Sequence, residues 1–458
     1  MVKLRFLDRA DEQKRLARAL KADGGALAVV YGRRRCGKST LIQHGVGGAD
    51  VYYLADQKEP PLQIKDLAAE IDRIIPGFSS ATYPTWDSLL RSLDNQLERR
   101  ISLYLDEVPY LVQLSPELPS LLQKYLDLPG AKRLNIVLCG SSQRMMHGLV
   151  LDKSAPLYGR AVEILKIQPL KAGWIRQGLG LKGAGAVEAF SIWGGVPRYW
   201  ELASQFDSLE EGIRELILDR NGVLHDEPMR LLMDDMRSAV QPYSLLSVIG
   251  QGCHRMSEIA GRLGKPATSL VRPISQLVDL GYVRRETPFG ENAKSTKRSL
   301  YKIDDPFLTF YFRFLQPNKS RLEVRAASGV MAQVRRQLPL HVSLIWEELV
   351  RTSVPTCLIG GRQWGAAHRW WGTGKDGARV ELDAVAESQD GKAVLIGEAK
   401  WSAADISASK TRDRLLSLAK NLPFVHGREV VPVLWAKQGR ESPGIHVQTP
   451  DAVLDGLQ

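Results

Sequence analysis

Cysteine is scarce: Cys36, Cys139, Cys253 and Cys357 are the only four in 458 residues, and they form neither a C-x-x-C nor a paired Cys/His spacing. This excludes a zinc ribbon and a disulfide framework, and makes a reducing cytoplasm the expected setting. Long apolar runs are also missing. No stretch reaches the length of a membrane span, and residues 1–8 lack the apolar core of a secretory signal, so no membrane partner is expected. Internal repeats and low-complexity tracts are absent as well. What is present is the composition of a folded chain, 44% hydrophobic and 25% charged, with a length that calls for about two to four domains. A net charge of +11 suits a polyanionic partner without requiring one.

The run Gly32-Arg-Arg-Arg-Cys-Gly-Lys-Ser-Thr40 fits G-x-x-x-x-G-K-[ST], the phosphate-binding loop. Its surroundings match, because the apolar Leu27-Ala-Val-Val-Tyr31 reads as a buried strand before it and Leu41-Ile-Gln-His-Gly45 as a helix after it. Glycines let the backbone curl so that successive N–H groups converge on one anion. Gly32, Arg33, Arg34, Arg35, Cys36, Gly37, Lys38, Ser39 and Thr40 are therefore the candidate ATP site. In this scheme Lys38 reaches the β- and γ-phosphates and Ser39 holds Mg2+, while Thr40 packs or bonds locally. A glycine-containing turn with a solvated basic run is the plain alternative.

Downstream, the strand pattern Ile101-Ser-Leu-Tyr-Leu-Asp-Glu-Val108 ends in two carboxylates, as a Walker B strand does. Asp106 is assigned to Mg2+ through water and Glu107 to orienting and activating the attacking water, although either acid also suits a helix cap or a solvated strand end. Val51–Leu54, 134–139 and 162–167 bring the strands to five, predicting a parallel sheet covered by helices. An additional strand between the two motifs sets Glu107 beside the γ-phosphate. Ser141 and Ser142 fall where a strand-end hydroxyl senses that phosphate, or where one caps the helix at Gln143. Arg160, just before the fifth strand, is a candidate γ-phosphate contact in its own or a neighbouring subunit, or a surface ion pair. Ile192-Trp-Gly-Gly-Val-Pro-Arg198 predicts a helix junction.

These motifs, with Phe6-Leu-Asp-Arg-Ala-Asp-Glu12, Tyr31-Gly-Arg-Arg-Arg35, Leu105-Asp-Glu-Val-Pro-Tyr110 and Pro156-Leu-Tyr-Gly-Arg160, resemble the archaeal-type ATPase family of the AAA+ and STAND lineage. The resemblance implies an α/β P-loop NTPase of the additional-strand (ASCE, AAA+-like) type. It further implies a helical lid that holds Gly194 to Pro197 near the nucleotide, with Phe6 to Arg9 near the adenine.

From Tyr243 the pattern changes to three short helices and a hairpin from Gly281 to Ile303, the grammar of a winged helix-turn-helix. Residues 241–303 carry ten Lys+Arg against four Asp+Glu. One reading lays the third helix in a DNA groove with Lys294, Lys297 and Arg298 on phosphates; the other makes the module a protein contact. Pro273, inside that helix, predicts a late start or a kink. The aromatic block through Phe307-Leu308 and Phe310-Tyr-Phe-Arg-Phe-Leu-Gln-Pro-Asn318 reads as core or linker packing, not a nucleobase platform.

In the last third, 379–387 and 393–401 predict two strands joined at Asp390-Gly391, a register that sets Asp383 opposite Glu398. Opposed carboxylates about 5 Å apart at Cβ can share Mg2+ or Mn2+, with Lys400 on the same face acting on the attacking water. This D…E-x-K arrangement resembles the PD-(D/E)XK nuclease fold. The resemblance adds Glu347 as a third acid in preference to Glu348, with Leu382 standing where the usual proline lies.

The domain expectation is an ATPase core at 1–170, helical lid at 171–238, winged helix at 239–318, linker at 319–338 and nuclease-like domain at 339–458. Two functional accounts follow: an ATPase that couples nucleotide state to DNA binding and Mg2+-dependent cleavage, or a STAND-like regulatory ATPase whose last domain only binds DNA or protein. Homo-oligomerisation is compatible with both.

Overall fold

A computed structural model of the chain describes residues 6–21, 25–128, 132–236, 238–292, 296, 298–324, 326–402, 404 and 406–458. It divides into two compact units. Phe6–Pro169 together with residues 231–236 make the first, and Leu170–Arg230 with Ser238–Gln458 make the second.

The first unit is a parallel sheet of β1 (Leu27–Tyr31), β2 (Val51–Leu54), β3 (Ile101–Asp106), β4 (Leu134–Gly140) and β5 (Glu163–Lys166) in the order β2-β3-β4-β1-β5. Its central strands are apolar along nearly their whole length because helices cover both faces, so alternation is lost and polar groups collect at the strand ends. Helices Pro60–Asp72, Trp86–Gln96 and Leu118–Asp127 contribute to the crossovers between parallel strands. Although β2 lies between the two motifs in sequence, in space it is the sheet edge beyond β3. The strand that separates β1 from β3 is β4. The loop after β1 and the acids after β3 thus open on one edge of the sheet, two strand spacings or about 10 Å apart.

The second unit opens with helices. Gly183–Trp193 stops at Gly194, whose φ is +59°, and the next helix starts at Pro197. The junction is tight: Leu170 N–H donates to Gly195 O at 2.7 Å, and a Cβ on Gly195 would lie 2.1 Å from the Leu170 carbonyl oxygen.

Three helices follow, Val240–Gly250, Met256–Leu263 and Ala267–Asp279, then an antiparallel ribbon of β6 (Val283–Glu286) and β7 (Leu300–Ile303). The third helix continues past Pro273 without a break. It buries Leu270, Ile274 and Leu277 on one face and leaves Thr268, Ser269, Arg272, Ser275 and Gln276 exposed. Lys294 and Lys297 lie outside the described residues, and Arg298 pairs with Glu291. After the ribbon, Phe307, Phe310, Phe312 and Phe314 are fully buried as core.

One 27-residue helix, Ala327–Ser353, crosses the 338/339 boundary expected from sequence, Pro339 included. Beyond it β8 (His368–Thr373), β9 (Arg379–Glu387), β10 (Ala393–Lys400), β11 (Glu429–Ala436) and β12 (His446–Gln448) form a mixed sheet ordered β12-β11-β10-β9-β8. Val394 pairs with Glu387 and Gly397 with Ala384, the register expected from the Asp390-Gly391 turn. Asp390 fixes that turn by accepting from Ser388 Oγ at 2.6 Å and from Lys392 N at 3.0 Å.

The β6–β7 ribbon rests on this sheet: Phe289 N–H donates to Arg369 O at 2.9 Å, and the Phe289 ring packs edge-on against Phe424. Beneath it lies a cluster of charges. Arg351, 6% exposed, donates to Glu348 at 2.9 Å and to Asp383 O at 2.8 Å, and it stands 3.6 Å from Glu286. Arg284 meets the same Glu348 at 2.7 Å and Lys302 meets Glu286 at 2.6 Å. Burial alone would raise the Glu348 carboxyl, but Arg284 and Arg351 outweigh it and hold the group at about 2. Among the described residues no helix is long and apolar enough to cross a membrane.

Removing one member of such a cluster strands the others in low dielectric. Arg351→Met should therefore cost about 3 kcal/mol of stability in urea unfolding of the full chain. A loss below about 1 kcal/mol would mean that water already screens the cluster.

Candidate functional sites

The first site grows out of β1. Directly after it Gly32, at φ +147°, passes so close to the sheet that a Cβ would lie 2.3 Å from the Ile167 carbonyl oxygen, which only glycine tolerates. Arg35 (φ +68°) and Gly37 (φ +86°) then turn the loop left-handed, and a helix starts at Lys38 and ends at Gln43, short of the expected Gly45. Arg9, for which the family resemblance implies a place near the adenine, braces this loop. Its Nη2 donates to Cys36 O at 3.2 Å and to Gln168 O at 2.6 Å. Phe6 stacks on His44 at 4.2 Å between ring centres, just past the end of the loop helix.

Lys38 is 5% exposed, and its ammonium rests on Arg33 O at 3.0 Å. Two strand spacings away, Asp106 is 1% exposed and engaged through both oxygens: Oδ1 accepts from Glu107 N–H at 2.9 Å and Oδ2 from the Tyr52 hydroxyl at 2.8 Å. Glu107 sits at φ +54°, one of three non-glycine residues with positive φ among the described residues. Arg35 is another, so two of the three strained positions belong to this site. A Glu107 oxygen accepts from Ser141 Oγ at 2.9 Å.

Of the two roles weighed for Ser141 and Ser142, the structure shows the cap, which Ser142 makes to the next helix through Met145 N. Cys139, fully buried on β4, has its thiol pushed well up by burial and by Asp106, with Lys38 opposing. Lys38, Asp106 and Glu107 therefore share one electrostatic neighbourhood. Left-handed backbone that presents N–H groups, a lysine, the Ser39 hydroxyl at the helix start and a buried acid together fit a nucleotide phosphate and its divalent ion.

Three contacts here had no clear signature in sequence. Tyr52 is one. The others come from the end of the helix Glu227–Asp235, where Asp234 pairs with Arg34 at 3.0 Å and Asp235 accepts from Gln143 N and Nε2 at 2.9 and 3.2 Å. Two acids in the last turn of a helix oppose its dipole, and that was the available signal.

Arg160 is not brought to the loop of its own chain. It precedes β5, at the opposite edge of the sheet from Gly32, and grips Asp127 with two bonds of 2.8 Å. This half-exposed ion pair is the surface alternative weighed for it.

The second site lies at β9, β10 and the long helix. Asp383 Oδ2 accepts from Ala399 N at 3.0 Å. Glu398 is buried and ion-paired with Arg414 and, at 3.4 Å, with Lys400. Glu347 is the acid that feels Asp383: burial raises its carboxyl and the Asp383 charge raises it further, while Arg351 stands 3.9 Å away. Glu348 is turned instead to Arg284 and Arg351. The three acids expected to hold a metal thus share a neighbourhood, but each is already met by protein donors or cations. Among the described residues no group of three or more His, Cys, Asp or Glu is spaced to hold a metal ion. In this arrangement the residues do not fit a bound divalent ion, because Arg414 and Lys400 meet Glu398, Arg351 meets Glu347 and a backbone N–H meets Asp383.

Residues 6–201 match the model of an ATPase domain predominantly from Archaea, and residues 311–413 match that of archaeal and bacterial proteins of unknown function. An uncharacterized protein of Methanocaldococcus jannaschii is 27% identical over 406 residues, which are 86% of this chain and 87% of that one. Among solved structures, the Walker-type ATPase PABY2304 of Pyrococcus abyssi is similar at a TM-score of 0.51 and 19% identity, over 67% of this chain and 96% of its own. The ORC2 protein of Aeropyrum pernix, in its ADPNP-ADP complexes, gives 0.45 at 14% identity over 73% and 97%.

Tyr52 steers Asp106, so Tyr52→Phe should raise the Mg2+ concentration needed for half-maximal ATP turnover about tenfold. A Mg2+ titration at saturating ATP measures this, and an unchanged midpoint would release Tyr52 from that role.

Proposed function

We propose, from the match of residues 6–201 to an archaeal ATPase-domain model, that the chain is an archaeal-type ATPase whose ATP cycle governs DNA binding by residues 239–318, with the C-terminal sheet as a further binding module. The observation that carries the ATPase half is the meeting of Lys38, Asp106, Glu107 and Ser141 at one edge of the sheet. Loop N–H groups and Lys38 hold the phosphates, and Ser39, with Asp106 through water, would hold Mg2+. Mg2+, when bound, would neutralise charge on the phosphate oxygens.

Glu107 takes the proton of the attacking water. To do so its carboxylate must turn from Ser141 toward the phosphate, which frees the Ser141 hydroxyl to donate to a γ-phosphate oxygen. Lys38 likewise leaves the Arg33 carbonyl.

The DNA half rests on the third helix. Its exposed face offers Thr268, Ser269, Arg272, Ser275 and Gln276, donors and acceptors of the kind that read base edges, and exposed Arg262 and Lys265 flank it. That face, rather than the ribbon, is the proposed contact, because the ribbon is committed to the second sheet. The winged-helix and nuclease-like assignments belong to this proposal. For the last domain the neutralised acids favour binding without cleavage, and no hydrolytic step is derived through them.

ATP turnover and DNA binding measured side by side test the reading. Lys38→Ala should weaken ATP binding at least tenfold, and Glu107→Gln should keep ATP binding while slowing turnover about 100-fold. Arg272→Ala should weaken DNA binding. Equal turnover in Glu107→Gln would remove it from its role. Mg2+-dependent DNA cutting by wild type, lost in Asp383→Ala, would overturn the binding-only account of the last domain.

A further inference from the structure

We propose that the end of the helix Glu227–Asp235 is a nucleotide-reading latch: Asp235 positions the loop that carries Ser141, and Asp234 competes with nucleotide for Arg34. This inference rests on the ATP site proposed above and names how that site is coupled to the chain that follows it.

The argument starts from local chemistry. The C-terminal turn of a helix carries unsatisfied carbonyls, so adjacent carboxylates there are unfavourable unless partners from elsewhere hold them. Both acids find partners within the nucleotide site. Asp235 is 3% exposed, and its two oxygens accept from the backbone N–H and the side-chain amide of Gln143, itself 4% exposed. Gln143 follows Ser141 by two residues, and Ser141 holds Glu107 at 2.9 Å. A buried carboxylate thus fixes the backbone of the loop that positions the catalytic glutamate.

Asp234 is different in kind. Its 3.0 Å pair with Arg34 is partly solvated on both sides, so it exchanges at low cost. Arg34 belongs to the phosphate loop, and a nucleotide brings several negative charges into that loop. Phosphate oxygens then compete with Asp234 for one guanidinium.

The segment is built to pass on the outcome. Leu231 and Leu232 are buried and anchor it in the first unit, whereas Val240, five residues past Asp235, opens the first of the three helices proposed to bind DNA. With nucleotide absent, both acids are held. With nucleotide bound, Asp234 is released while Asp235 keeps the loop aligned, so the connection to Val240 loosens without loss of catalytic geometry.

Hydrogen exchange on the full chain, with and without ATP in the hydrolysis-slow Glu107→Gln background, reads the latch directly. Exchange at 231–236 should rise about threefold or more on ATP binding, while 32–40 becomes protected. Asp234→Asn should show the raised exchange already without ATP and bind ATP about threefold tighter. Asp235→Asn, an isosteric change, should lower kcat about tenfold with KM within about twofold. Asp235→Asn combined with Gln143→Ala should cost little more than the worse single variant, because both act through one contact.

Protection of 32–40 without any change at 231–236 would overturn the latch and leave the ATP site intact. A kcat in Asp235→Asn equal to wild type would overturn its positioning role. If the latch responds but DNA affinity is indifferent to nucleotide, the DNA reading fails and the latch stands.

Discussion

The first unit depends on where β4 lies. A parallel strand buried on both faces cannot carry charge along its length, so the chemistry of this sheet is forced to its edge, and β4 spaces the loop after β1 from the acids after β3. Two strand spacings separate the loop that leads into Lys38 from Asp106. Each therefore finds an interim partner, Lys38 in a loop carbonyl and Asp106 in Tyr52. Both partners can be given up when a better-charged ligand arrives, which is how a site stays folded without its substrate.

The second unit solves the opposite problem, too many charges close together. Arg284, Lys302 and Arg351 interleave with Glu286 and Glu348, and Glu398 is flanked by Lys400 and Arg414. This changes what the basic excess of 241–303 means. Ion pairs occupy Arg255, Arg284, Arg298 and Lys302, so the residues left to create an external field include Arg262, Lys265 and Arg272, on or next to the third helix. Among the described residues fewer of these cations lie outside ion pairs than the residue count implies, with exposed Arg285 also among them.

Much of the fold could be read from neighbouring residues. The phosphate loop is legible because its glycines and lysine act within one turn of chain, and Asp106 and Glu107 because a strand end is a local event. The β9–β10 register follows from a two-residue turn that sets every later pair. The glycines and proline of 194–197 made the helix junction legible, and apolar bulk the buried aromatic block.

Other features needed the folded chain. That β2 lies at the sheet edge, that Arg160 belongs to Asp127, and that Tyr52, Asp234 and Asp235 reach the nucleotide site are facts about strand order and long-range packing. No local pattern encodes them. Sequence alone determined which groups can bind phosphate, accept a proton or carry charge, because that is fixed by side-chain chemistry and short-range backbone geometry. Only the tertiary structure decided which of those groups face each other and which are already spent on one another, because a charge in low dielectric takes the nearest partner that packing supplies.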